Sequence, residues 1–203
     1  MTRKFNKQKG FTLIETFVAV LILVFAVIAP LGLLARAISD GNFAKNQVTA
    51  YFLAQEGVEL AIRQRDKNTY TSGPDIPLAS AWLDGLSICQ SQGCNPDPKM
   101  ESFTSCSETD FDEKRCILFL VDDELGYSPA QGTATGNESM FARRIKVNEV
   151  VDDPNKVEIV SEVRWSEKNK THSSRVATVM INPLSVIDSG GDEGEGGGDG
   201  GTF

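Results

Sequence analysis

The side chains best suited to chemistry in this 203-residue chain are four cysteines and a single histidine. Cys89 and Cys94 are spaced C-x4-C, and Cys106 and Cys116 are spaced C-x9-C. A zinc site would call for four nitrogen or sulfur donors around one ion, and no histidine lies near either pair. An even number of cysteines, in a loop-rich segment that the N-terminus sends across a membrane, points instead to disulfides. Three connectivities are open, and the easy closure of sequence neighbours favours Cys89 with Cys94 and Cys106 with Cys116. Once the cysteines are so used, no nucleophile and base remain as a pair. His172 falls in a predicted turn and reads as a solvated loop residue. The acids Asp110, Asp112 and Glu113, and Asp122, Asp123 and Glu124, could hold calcium, but neither run follows an EF-hand spacing, and clustered acids ordinarily form a solvated face. We expect no enzyme, no cofactor and no metal.

One carboxylate stands out by position. From Phe11 to Ala35 the chain runs for 25 residues in which Glu15 is the sole ionisable side chain. At 1.5 Å per residue such a helix is about 37 Å long, enough to cross a bilayer core. Before it stand Arg3, Lys4, Lys7 and Lys9 with no acid among them, so residues 1–10 are expected in the cytoplasm and the rest outside. An ordinary secretory signal has a shorter apolar region, about 7 to 15 residues, although Ala35-Arg36-Ala37 offers an A-x-A-like site. A plain membrane anchor leaves Glu15 unexplained, since a carboxylate in an apolar span costs up to about 3 kcal/mol. Thr12 and Glu15 have the Thr-x-x-Glu spacing of a capping box, which would account for the carboxylate locally.

Taken together, Lys9-Gly10-Phe11-Thr12-Leu13-Ile14-Glu15 and the apolar run behind it closely resemble the processing signal of type IV prepilins and type II secretion pseudopilins. The resemblance implies cleavage after Gly10 by a membrane prepilin peptidase, N-methylation of Phe11, and Glu15 as fifth residue of the mature chain. It also implies that Glu15 meets the cationic amine of a neighbouring subunit's Phe11 during filament assembly, a pairing that fixes axial register because a buried charge is tolerated only when matched. The implied partners are other pilin or pseudopilin subunits, the pilus or secretion assembly platform, and the membrane. Pro30, deep in the apolar helix, fits the helix breakers common in the family. The Gln55-Glu56-Gly57 region and the long cysteine loop point to a minor subunit. The protein is thus expected first as a single-pass membrane protein, then in a pilus or at the cell surface or periplasm. A surface binding domain that is only anchored and never assembles is the alternative.

The elements that carry these residues can be read in outline. Residues 11–35 read as the membrane helix, and Ser39-Asp40-Gly41-Asn42 as a turn or capping cluster interrupting it. Residues 36–66 continue as an amphipathic helix, with Val48, Tyr51, Val58 and Ile62 on the packing face and Glu59, Arg63 and Asp66 away from it. Residues 67–187 form the head. Within it, Cys116 to Val121 suits a buried strand. Three alternating sets follow: Phe141, Ile145 and Val147; Val157, Ile159, Val163 and Trp165; Ala177, Val179 and Ile181. Asp152-Asp153-Pro154-Asn155 and Glu167-Lys168-Asn169-Lys170 connect them, so an antiparallel meander with one apolar face is expected, covered by the Ile62-bearing helix. The fold class is α+β and pilin-like.

Charge bears on partners. Twenty basic and 28 acidic residues give a net charge of −8, and loss of the four leader cations leaves 16 against 28, or −12. Such a chain is a poor nucleic-acid ligand. Residues 188–203 are Gly-rich with acids and no base, the composition of a disordered tail. Asn137-Glu138-Ser139 and Asn169-Lys170-Thr171 match the glycosylation triplet, which carries little weight in a bacterial-type export route.

Overall fold

The computed structural model describes residues 10–71, 81–98, 101–109, 111, 115–121, 126–129, 137–183 and 185. The leader cations, the acids Asp110, Asp112, Glu113 and Asp122 to Glu124, and the tail from Asp188 lie outside the described residues. The chain divides into two compact units, residues 1–46 and 47–203.

In the first unit, helix α1 (Leu13–Thr71) starts where Thr12 can cap it. The Thr12 hydroxyl accepts from the Glu15 amide at 3.4 Å, and its carbonyl accepts from the Thr16 amide at 3.2 Å. These contacts satisfy donors that a helix start otherwise leaves free. Residues 10–38 are all exposed, and the helix there is apolar on every side. A helix apolar all round needs burial in lipid or in other protein, and α1 is long and apolar enough to cross a membrane. Pro30 lies inside the helix, as read from the sequence. One expectation is corrected here: Ser39 to Asn42 are helical, so these turn-forming residues do not interrupt α1.

In the second unit the remainder of α1 covers one face of a seven-stranded sheet. The buried stripe is Ala50, Leu53, Ala54, Gly57, Val58, Ala61 and Asn68. Val58 and Ile62 pack as expected, but Val48 and Tyr51 are 54% and 45% exposed. Small residues displaced them because they let the helix backbone approach the sheet. A Cβ built on Gly57 would lie 2.6 Å from Ser161 Oγ. Glu59, Arg63 and Asp66 are exposed.

The strands are β1 (Cys94–Asp97), β2 (Ser102–Ser105), β3 (Ile117–Val121), β4 (Gly126–Pro129), β5 (Asn137–Glu149), β6 (Lys156–Glu167) and β7 (Lys170–Ile181). The last three form the antiparallel meander, and on its far side β5 pairs with β1 and β3, each antiparallel. β3 matches the expected strand but is only partly covered: Leu118 is fully buried and Leu120 is 37% exposed. The core joins Val58 and Ala61 of α1 to Ile145, Val147, Val157, Ile159 and Met180 of the sheet. Trp82, Leu86 and Cys89, from the segment around the short helix α2 (Ser87–Ser91), complete it.

β7 corrects the sequence reading by one residue. Its register sets Met180 opposite Val157, Thr178 opposite Ile159 and Val176 opposite Ser161. Met180 is therefore buried, while Val179 and Ile181 are 56% and 41% exposed and Ala177 lies outside with them. A slip of one position exchanges the two faces of a strand.

Candidate functional site

Two regions could carry function, and each is built by its own unit. At the start of α1, Phe11 is 81% exposed and Glu15 lies one helical turn further on, also exposed. The capping box is half made: the Thr12 hydroxyl binds the Glu15 amide, whereas the Glu15 carboxylate has no hydrogen bond or ion pair among the described residues. A residue that only capped the helix would turn its carboxylate back to the Thr12 amide. Around it the side chains of Leu13, Ile14, Phe17 and Val18 are exposed and apolar, so the carboxylate is set in an apolar surface with no cation beside it among the described residues.

In the head, the side chain that ties the elements together is Arg143, which sequence inspection passed over. It lies in β5 at an inward position, between Phe141 and Ile145, and is fully buried. Its guanidinium donates to Glu56 Oε2 at 2.8 Å and to the Leu53 carbonyl at 3.3 Å, both on α1. It donates also to Asn95 Oδ1 at 3.2 Å and the Pro96 carbonyl at 3.0 Å, both on β1. Burial pulls the guanidinium below its ordinary value, and Glu56 acts in the opposite direction. It remains charged, since a guanidinium does not give up its proton in a protein. One side chain thus fixes helix, β1 and β5 in a single register. The legible signal was an arginine in phase with Phe141, Ile145 and Val147.

The cysteines stabilise the same neighbourhood. Cys89 is joined to Cys94 with Cα atoms 4.7 Å apart, and Cys106 to Cys116 with Cα atoms 5.4 Å apart. Among the described residues no cysteine is free. The first bridge holds α2 to the start of β1, next to the Asn95 and Pro96 that grip Arg143. The second closes a loop over the outer face of the sheet, where Phe111 is buried beneath Arg144 and Arg164, 5.3 and 4.0 Å from its ring centre. Glu108 pairs with both arginines, and hydrogen bonding from Arg164 holds its carboxyl below the usual glutamate range. Glu162 receives Arg164 at 3.0 Å and Arg175 at 3.3 Å.

His172 is not in the turn. The turn is Lys168-Asn169, both with positive φ, and His172 stands in β7 with its ring stacked on Trp165, centroids 5.4 Å apart. It is half-buried against an aromatic. An open cleft of about 790 Å³ lies between Trp82, Leu83, Asp84 and the β5–β6 turn, lined also by Glu149, Asp152 and Asp153. Asp153 is occupied by Lys156 at 2.8 Å. Among the described residues no three histidine, cysteine or acidic side chains are grouped so as to hold a metal. The head thus offers a braced framework and surfaces. Comparison with models of known protein families, with curated proteins and with solved structures finds no match to this chain.

Proposed function

We propose that this chain is a structural subunit, of minor type, of a type IV pilus or type II secretion pseudopilus, cut after Gly10 by a prepilin peptidase and assembled through its apolar N-terminal helix. The observation that carries this reading is the string Lys9-Gly10-Phe11-Thr12-Leu13-Ile14-Glu15 opening directly into that helix. The Glu15 carboxylate, with no partner among the described residues, supports it, because a charge on an apolar helix gains most from a cation supplied by another subunit. The long apolar helix followed by a small antiparallel sheet supports it too. The apolar part would hold the protein in the membrane before assembly and the filament core afterwards, leaving the head outside.

Mass spectrometry of the exported protein tests this. The mature chain is expected to begin with N-methyl-Phe11, and a bulky residue in place of Gly10 to leave the leader attached. A mature start at Ile38, after Ala35-Arg36-Ala37, would replace this reading with an ordinary secretory signal.

A further inference from the structure

The sheet ends in two short strands, β2 and β4, of four residues each, and on its other side in β7, which has 12. Among the described residues β7 pairs with β6 alone. In an antiparallel strand a residue turns both backbone groups to one side, and its neighbour turns them to the other. The Asn182 amide donates to the Asn155 carbonyl at 2.8 Å, directly continuing the Lys156-to-Ile181 register. The even-numbered residues of β7 therefore bond to β6 and the odd-numbered ones face the open edge. Arg65 fits this assignment, since its guanidinium donates to the outward Ile181 carbonyl at 3.4 Å. Thr171, Ser173, Arg175, Ala177 and Val179 then present amide and carbonyl groups that no described residue takes up.

Long open edges recruit other strands unless charges, prolines or bulges blunt them. The first half of β7 carries Lys170 and Arg175. From Val176 to Ile181 the sequence Val-Ala-Thr-Val-Met-Ile has no charge, proline or glycine, and is suited to strand pairing. Among the described residues, the row at Arg175 has more arginines than carboxylates. Three arginines, Arg144, Arg164 and Arg175, share two carboxylates, Glu108 and Glu162, and Arg175 is the outermost, its side chain 62% exposed.

We propose that the edge of β7 from Arg175 to Val179 takes an extended strand from another subunit of the filament, a strand that sets a carboxylate opposite Arg175 and apolar side chains opposite Ala177 and Val179. Backbone hydrogen bonds supply the attachment, and the alternate side chains select the partner. The proposal rests on the filament reading above. It names a lateral contact of the heads, separate from the packing of N-terminal helices.

The test uses the full-length protein in its own cells, with a photoreactive amino acid at Val179. Light should join it to a different filament subunit. Ala177→Pro removes one outward amide and spares the bonds to β6, as proline is tolerated on an edge. With Arg175→Glu it should lower the adduct at least about tenfold, the worth of one backbone or charge-assisted hydrogen bond. Protease resistance of the exported head equal to that of the wild type confirms a folded head in each variant, and Thr178→Pro, which breaks the β6 ladder, marks the misfolded case. An adduct only to a second copy of this chain, an adduct to a protein outside the filament, or an adduct unchanged by Ala177→Pro overturns the proposal. Recovery of the chain in sheared filaments with no adduct overturns it and leaves the filament reading standing. Absence of the chain from filaments overturns both.

Discussion

Arg143 Nη1 lies 2.8 Å from Glu56 Oε2, a buried strand cation meeting a helix carboxylate that is 37% exposed. The two ends of this pair are not equivalent. Glu56 can be hydrated when alone, whereas Arg143 is enclosed on every side. Breaking such a pair from the carboxylate side leaves the charge uncompensated in the interior. The Leu53 and Pro96 carbonyls and Asn95 would still solvate it, which lessens the loss. Glu56→Ala is expected to destabilise the head by about 3 kcal/mol. Adding Arg143→Met should recover part of that, because the stranded charge is gone. Thermal melts of the single and double variants measure it; equal losses in Glu56→Ala and the double variant would refute the argument.

Two helix turns of small residues make this bridge reachable, and Gly57 is the tightest of them. An added Cβ would sit 2.6 Å from Ser161 Oγ, 3.1 Å from Ile145 Cδ1 and 3.2 Å from Arg143 Cδ. Gly57→Ala gains about 1 kcal/mol of helix propensity but meets an overpacked contact costing about 1–3 kcal/mol. We expect a net loss. Ser161 Oγ has no hydrogen-bond partner among the described residues, so Ser161→Ala removes the worst clash without leaving a donor stranded. Gly57→Ala with Ser161→Ala should melt at or above the wild type. A double variant no better than Gly57→Ala alone would place the crowding elsewhere.

These residues show how far sequence alone reaches. Strands β5 and β6 were legible because they keep a two-residue period, and the membrane-length helix because its apolar run is long and unbroken. The stripe Ala50, Ala54, Gly57 and Ala61 was not, since a search for large apolar side chains passes over residues whose merit is being small. β7 was misread for another physical reason: Val176 to Ile181 is apolar on both faces, so alternation cannot choose between them. The hairpin decides it. With Lys168-Asn169 as a two-residue turn, Glu167 must face Lys170, and counting outward puts Met180 opposite Val157. The Glu15 motif was plain because its residues are contiguous. Arg143 and Glu56, far apart in the chain, had no local mark to join them.

Acid should loosen the ion pairs on the outer face of the sheet. Hydrogen bonding from Arg164 holds the Glu108 carboxyl below its ordinary value against the opposing effect of burial, with the charges of Arg144 and Arg164 adding to the lowering. A carboxylate with a depressed folded-state value stabilises the fold above its unfolded value, and that contribution is lost as pH falls through the folded value. More than half of this side chain is exposed, so screening keeps the effect below about 1 kcal/mol. Glu108→Gln should therefore lower the melting temperature slightly at pH 7, with the difference from wild type shrinking below about pH 4. A difference that grows on acidification would contradict the ion-pair account.

Glu15 separates assembly from helix capping. Its amide is held by Thr12 Oγ1 at 3.4 Å, while its carboxylate has no partner among the described residues. Glutamine serves in a capping box as well as glutamate does. If capping were the whole role, Glu15→Gln would leave processing, insertion and filament content unchanged. In the assembly reading the amide keeps a hydrogen bond but loses the charge opposite a neighbour's Phe11 amine, stranding that cation at a cost of a few kcal/mol, or roughly a hundredfold in incorporation. The variant should still be cleaved after Gly10 and found in the membrane, yet be nearly missing from sheared filaments. Quantifying cleaved protein in both fractions decides the matter, and wild-type stoichiometry in the filaments would leave Glu15 without a role in registration.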